Sequence, residues 1–171
     1  MTLDITIINA VLTLAAVVIA LYVALRETYL HRKELRLHQA GLIAVWLLDV
    51  FQSDRGLFYN VAVSNQSSQP IFDAVLSIGV VHGAGSSYYK GDDNNTCIIV
   101  VPPGLYIAKV PYAGGGMNMV FNASISFRDI RNHAWRRDAN GYLKETKKDP
   151  LAELEITLPA SWDTIEPFPL K

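Results

Sequence analysis

Cysteine is nearly absent from this chain. The single Cys97 excludes an intrachain disulfide framework and any zinc cluster built on cysteines. An excess of one charge is lacking too: 15 Lys and Arg stand against 16 Asp and Glu, a formal net charge of -1, whereas a general binder of nucleic-acid duplexes needs a marked basic surplus. Charged residues make up 18% of the chain and hydrophobic ones 50%, the reverse of a disordered composition. With 171 residues against a prior of about 100 to 200 per domain, separate cofactor and substrate lobes do not fit. No G-x-S-x-G, P-loop, G-x-G-x-x-G or HExxH occurs, so a nucleophile elbow, a phosphate cradle and a zinc helix are all missing. The sequence therefore predicts no enzyme, no cofactor and no metal.

What is present begins with an apolar run. Ile5 to Leu25 carries no charge over 21 residues, and at about 1.5 Å per residue a helix of that length covers the ~30 Å hydrocarbon core of a bilayer. Thr13 can bond back to its own helix, and Asn9 can find a partner helix or a second copy of the chain. Only Met1 to Asp4 precede the run, without Lys or Arg, so a cleaved signal peptide is not expected. Arg26, Arg32, Lys33 and Arg36 follow it. The positive-inside bias then predicts a single pass through the inner (plasma) membrane, with the N-terminus outside and the rest cytoplasmic. Residues 1–25 are read as the span and 26–41 as a basic helical stalk against anionic lipid heads, ending at Gly41. The sequons at Asn65, Asn94 and Asn122 then meet no glycosylating compartment, and a lone thiol suits a reducing one.

After Gly41 the apolar period becomes two. Met117, Met119, Phe121, Ala123, Ile125 and Phe127 alternate with mostly Asn and Ser; Leu57 to Val63 and Phe72 to Val80 repeat the pattern. Shorter strands are predicted at Cys97–Val101, Leu105–Tyr112, His133–Asp138 and Tyr142–Thr146. Leu42–Phe51 is apolar on both faces; its Val, Trp and Phe content favours a first strand over a core helix. Turn chemistry at 65–70, 83–85, 91–95, 102–104 and 114–116 separates them, and Asn140-Gly141 is a type I′ hairpin signal. The expected fold is mainly β: a transmembrane helix and stalk, then an antiparallel sandwich, immunoglobulin-like, over 42–158, with a small barrel as the alternative. Leu151 to Leu158 reads as an edge strand with outward Glu153 and Glu155, and 159–171, with three prolines, as a tail.

One cluster offers binding chemistry. Arg128, Arg131, His133, Arg136, Arg137, Lys144, Lys147 and Lys148 share 21 residues with only Asp129, Asp138 and Glu145. Guanidinium groups suit bidentate recognition of phosphate or carboxylate, so Arg128, Arg131, Arg136 and Arg137 are candidate ligands for a nucleotide or phospholipid head group. The alternative is structural: Trp135 fills the core while the arginines pair with Asp129, Asp138, Glu153 or Glu155. Gly91 to Asn95 lacks the spaced acids of a calcium loop, His31 and His38 fall on the stalk, and Cys97 opens an apolar strand as a small buried hydrophobe.

The runs VAVSNQSSQPIFDAVLSIGVVHGAG (61–85), VPPGLY (101–106) and ISFRDIRNHAWRRDANGYL (125–143) resemble those of small, uncharacterised actinobacterial-type membrane proteins. That group carries an N-terminal membrane helix, an N-x-S-x-x-P-I/V segment, an L/V-P-P-G turn and a final F-x-D-x-x-G-x-x-W-x-R-x-x-x-G-x-L hairpin. The resemblance covers roughly 42–145 and implies architecture without chemistry. Here the glycine between the Asp and the Trp is replaced, by Asn132 or His133. The expected role is a non-enzymatic module: one helix holds a cytoplasmic sandwich at the bilayer, where it binds another protein or itself, and tethering raises the effective concentration of partners. The alternative is a sensor or effector, like the membrane-linked β-domains of bacterial anti-phage systems, that binds an anionic small molecule through Arg128–Arg137.

Overall fold

The computed structural model describes residues 2–53, 56–83, 90–111 and 118–169. The turn expected at Gly114–Gly116, and the strand ends at Tyr112 and Met117, lie outside the described residues.

Helix α1 runs from Thr2 to Gly41 without interruption, as a stretch free of proline and, before Gly41, of glycine allows. Within it Ile7–His31 is long and apolar enough to cross a membrane, with no part of that stretch buried in a core. Thr13 donates to the Asn9 carbonyl at 2.8 Å and Thr28 to that of Ala24, so these hydroxyls are satisfied by their own helix. The helix forms one compact unit as far as His38; Gln39–Lys171 forms the other, three residues earlier than the expected start at 42.

The second unit is a two-sheet sandwich. Strands β1 (Ile43–Ser53), β2 (Gly56–Asn65), β3 (Ile71–His82), β4 (Asn95–Val101), β5 (Gly104–Pro111), β6 (Val120–Arg128), β7 (Ala134–Arg137), β8 (Leu143–Thr146) and β9 (Glu166–Pro167) form an antiparallel sheet β1-β2-β5-β9 and another, β4-β3-β6-β7-β8. The non-consecutive pairs β2·β5 and β3·β6 are Greek-key crossovers, as in immunoglobulin-like sandwiches. Alternation delivers the core: Val45, Tyr59, Val61, Val63, Ala108 and Val110 from one sheet meet Leu76, Ile78, Ile98, Ile125, Phe127 and Trp135 from the other. The expected first strand, read as Leu42–Phe51, is present as β1 from Ile43 on, as its composition favoured.

Among the register irregularities of the described strands, the one near Asp73 of β3 bears on the hairpin. Asp73 has φ 45°, and the β3–β6 register shifts between Phe72 and Val75. The bulge turns Ile71, not the expected Phe72, fully into the core and aims Asp73 at Arg128.

The C-terminal part corrects two expectations. Residues 151–158 are not an edge strand. Asp149 caps a short helix α2 (Pro150–Glu153) by accepting from the Leu151 N–H at 3.0 Å, and Pro150 at its first position favours helix entry. Leu154 and Ile156 then pack on Val75 and Cys97 over the outer face of the five-stranded sheet, a second small core. Nor is 159–171 a free tail. Trp162 bridges to Cys97 beside β4, the Asp163 N–H donates to the Cys97 carbonyl at 2.8 Å, and β9 pairs with Tyr106 and Ile107 of β5. The segment is a strap that crosses from one sheet to the other and covers part of two strand edges, which would otherwise template association.

Candidate functional site

The basic hairpin is the first candidate, and its bonds point inward. Asp129, buried in the β6–β7 turn, accepts the backbone N–H groups of Arg131 (2.8 Å) and His133 (2.9 Å) at one carboxylate oxygen, and the Trp135 indole N–H (3.0 Å) at the other. Asn132 takes φ 66°, and asparagine tolerates that left-handed conformation best after glycine. Alternation along β7 puts Trp135 in the core, Arg136 on the outer face and Arg137 back on the Trp side. Arg136, itself buried, pairs with Glu153 of α2 at 2.7 Å. Arg128 pairs with Asp73 and with Asp149 (3.5 Å). Arg137 donates to the carbonyls of Ile43 (2.8 Å), Gly141 (2.8 Å) and Gly41 (3.2 Å), and burial pushes its pKa below the ordinary guanidinium value, opposed by Asp138. Of the four candidate arginines only Arg131 is exposed.

The hairpin is thus a frame. Arg137 caps a carbonyl of edge strand β1, and the Asn122 side chain, which accepts from the Leu47 N–H at 3.2 Å, caps a donor of the same strand. The connection after Arg137 is not type I′. Asp138–Tyr142 is a five-residue loop in which Gly141 alone has positive φ (87°), and the Asp138 carboxylate accepts from the Asn140 and Tyr142 N–H groups at 3.0 Å each. His133 Nδ1 lies 3.4 Å from Asp129, but neither residue lines a described cavity. Two of the three sequon asparagines are structural too: buried Asn65 donates to Gln69 (2.9 Å) and Val101 (3.0 Å) carbonyls, and Asn122 to that of Ala139.

The concave site lies elsewhere. A cleft of about 620 Å³ opens between the strap and the four-stranded sheet, within the ~300 to 1,000 Å³ range of small-ligand sites. Its apolar wall is the Phe51–Phe58 stack, with ring centroids 5.9 Å apart, together with Ile107. Asp92, in the 3-10 turn Asp92–Asn94, and Asp163 on the strap line the same cleft. Lys109 and Glu166 face each other at 3.3 Å where β9 meets β5. The Thr157 hydroxyl and N–H (2.9 Å) hold the Asp92 carboxyl below the usual range, so it is charged at neutral pH. Cys97 also borders the cleft. Burial first, then the charges of Asp92, Asp163 and Asp73, push its thiol up to about 11, which suits an inert small hydrophobe and not a nucleophile.

The sequence singled out Cys97 and the Gly91–Asn95 turn but rejected both as sites, and it did not bring the cleft together, because its residues come from five separate segments. A further visible signal was Lys109, a charge in the otherwise apolar LYIAKV of β5. Asn9 and Thr13 lie on α1, in the apolar unit. Among the described residues no group of three or more His, Cys, Asp or Glu is placed to hold a metal ion. No protein-family model matches the chain, and neither a curated protein nor a solved structure is similar to it.

Proposed function

We propose that this chain is a membrane-anchored interaction module without enzymatic activity of its own, in which α1 tethers the sandwich to the bilayer and the strap-side cleft receives a protein partner. The observation that carries this reading is the cleft itself: a site of binding-pocket size with an apolar wall and few, well-placed charges, on a body joined to a helix apolar enough to span a membrane. Arg26, Arg32, Lys33 and Arg36, at and just beyond the end of the apolar stretch, favour an inner-membrane protein with its N-terminus outside and its sandwich cytoplasmic. The resemblance to actinobacterial-type single-pass proteins supports the same architecture, and Asn9 on the span leaves room for self-association.

The sensor reading is the weaker one. Arg128, Arg136 and Arg137 already bond to carboxylates or carbonyls of the chain, so an anion would have to displace those partners. The experiment compares proteins retained from mild-detergent membrane extracts by the wild type and by Thr164→Trp, which places bulk in the cleft. A partner held by the wild type and lost by the variant supports the reading. No protein retained above background overturns it, and equal retention moves the interface off the cleft.

A further inference from the structure

Resting on the module reading above, we propose that the cleft recognises an organic cation: an ammonium or guanidinium group on a short apolar stem, carried by a side chain of the protein partner or by a free amine. The charge balance gives the sign. Among the described residues that line the cavity, Asp92, Asp163 and Glu166 stand against Lys109, three carboxylates to one ammonium. The chain supplies its own example of the chemistry. The Lys109 ammonium lies 5.8 Å from the centroid of the Phe51 ring and 3.3 Å from Glu166 Oε1, so a ring and a carboxylate of this cleft already hold an alkylammonium between them.

A second such place is open. Asp163 is exposed, its backbone N–H is spent on Cys97, and among the described residues its carboxylate has no ion-pair partner. Asp92 adds a second carboxylate, kept charged by Thr157. An incoming cation can therefore set its head between these two acids while its stem lies along the Phe51–Phe58 stack and Ile107. Backbone pairing is the poorer mode here. On the cleft side of β5 the Lys109 carbonyl already accepts from the Thr96 hydroxyl at 2.7 Å, and Pro111 has no N–H, so an added strand finds little to bond. Recognition then falls to a side-chain-sized group.

The test uses the full chain in nonionic detergent and isothermal titration. The probes are benzylamine and agmatine as free cations, benzyl alcohol as the neutral match, and the capped tripeptides Leu-Lys-Leu and Leu-Gln-Leu. A cationic probe binding at least about tenfold tighter than its neutral match is expected, with Asp163→Asn weakening it by about tenfold, the worth of one charge-assisted hydrogen bond. Lys109→Met, by removing the resident ammonium and freeing Glu166, tightens binding, a change that general damage to the fold does not produce. Urea midpoints of both variants verify folding. Binding of the amines places the source in a small molecule; binding of Leu-Lys-Leu alone places it in a protein side chain. The proposal is overturned if neutral probes match the cations, if no cation binds, or if Asp163→Asn changes nothing. A partner retained from membranes while every cation fails would leave the module reading standing and sink this one alone.

Discussion

Replacing Asp129 by alanine tests whether the hairpin is a frame. Asp129 is 3% exposed and its carboxylate accepts three donors, one of them the indole N–H of Trp135, a residue 1% exposed. A hydrogen bond to a charged group contributes about 1.5 to 3 kcal/mol, and an orphaned buried donor costs about 1 to 3 kcal/mol. The two turn N–H groups are nearer the surface and can recover water, so the losses do not simply add. A total of about 3 to 4 kcal/mol follows, a large share of the roughly 5 to 15 kcal/mol of a typical domain. Asp129→Asn keeps an acceptor for the backbone pair but turns an amide N–H toward the indole N–H, and about half the loss is expected. The assay is urea unfolding of the full chain in mild detergent, followed by tryptophan fluorescence, where α1 stays in the micelle and the transition reports the sandwich. Trp135→Phe should cost about 1 to 2 kcal/mol less in the Asp129→Ala background than in the wild type. A loss below about 0.5 kcal/mol for Asp129→Ala, or strictly additive variants, would refute the reasoning.

Other expectations follow from the same structure. Glu153→Ala takes the paired carboxylate away from the buried Arg136 guanidinium and should lower stability by up to about 3 to 5 kcal/mol, whereas the double variant Arg136→Met, Glu153→Leu should fall far less, both read from urea midpoints. Cys97 should resist iodoacetamide at pH 8 until the chain is denatured. The unfolded thiol ionises near 9.0 and the folded one near 11, so the stability it lends is complete below pH 9 and is lost as pH rises toward 11, which pH-dependent unfolding checks. Ending the chain at Ala160 removes Trp162 and β9, uncovers the edges of β4 and β5, and should give concentration-dependent association by light scattering.

The fold was legible where a local period reports burial. Val61 and Val63, Leu76 and Ile78, and Ala123 and Ile125 alternate in the sequence because one face of each strand meets the other sheet. The strap was misread for a related reason. Leu154 and Ile156 are indeed buried on alternate positions, but on the outer face of the five-stranded sheet, where Val75 and Cys97 gave no sign of a second core. Glu166 and Pro167 are too few to show any period. The basic cluster was equally visible, yet its partners were not: Asp73 lies 55 residues before Arg128, and Arg137 is held by main-chain carbonyls that no side-chain pattern announces. The cleft combines Phe51, Lys109 and Asp163 from distant strands and the strap, a convergence that spacing along the chain does not encode.

The central claim is a sandwich tethered by one spanning helix on the inner side of the membrane. Protease protection tests it most directly, with a C-terminal tag followed in spheroplast membranes washed in alkaline carbonate. The account predicts that the tag stays with the membrane through the wash, survives protease added to intact spheroplasts, and is cut once they are permeabilised. Release by carbonate, or digestion in intact spheroplasts, would contradict it.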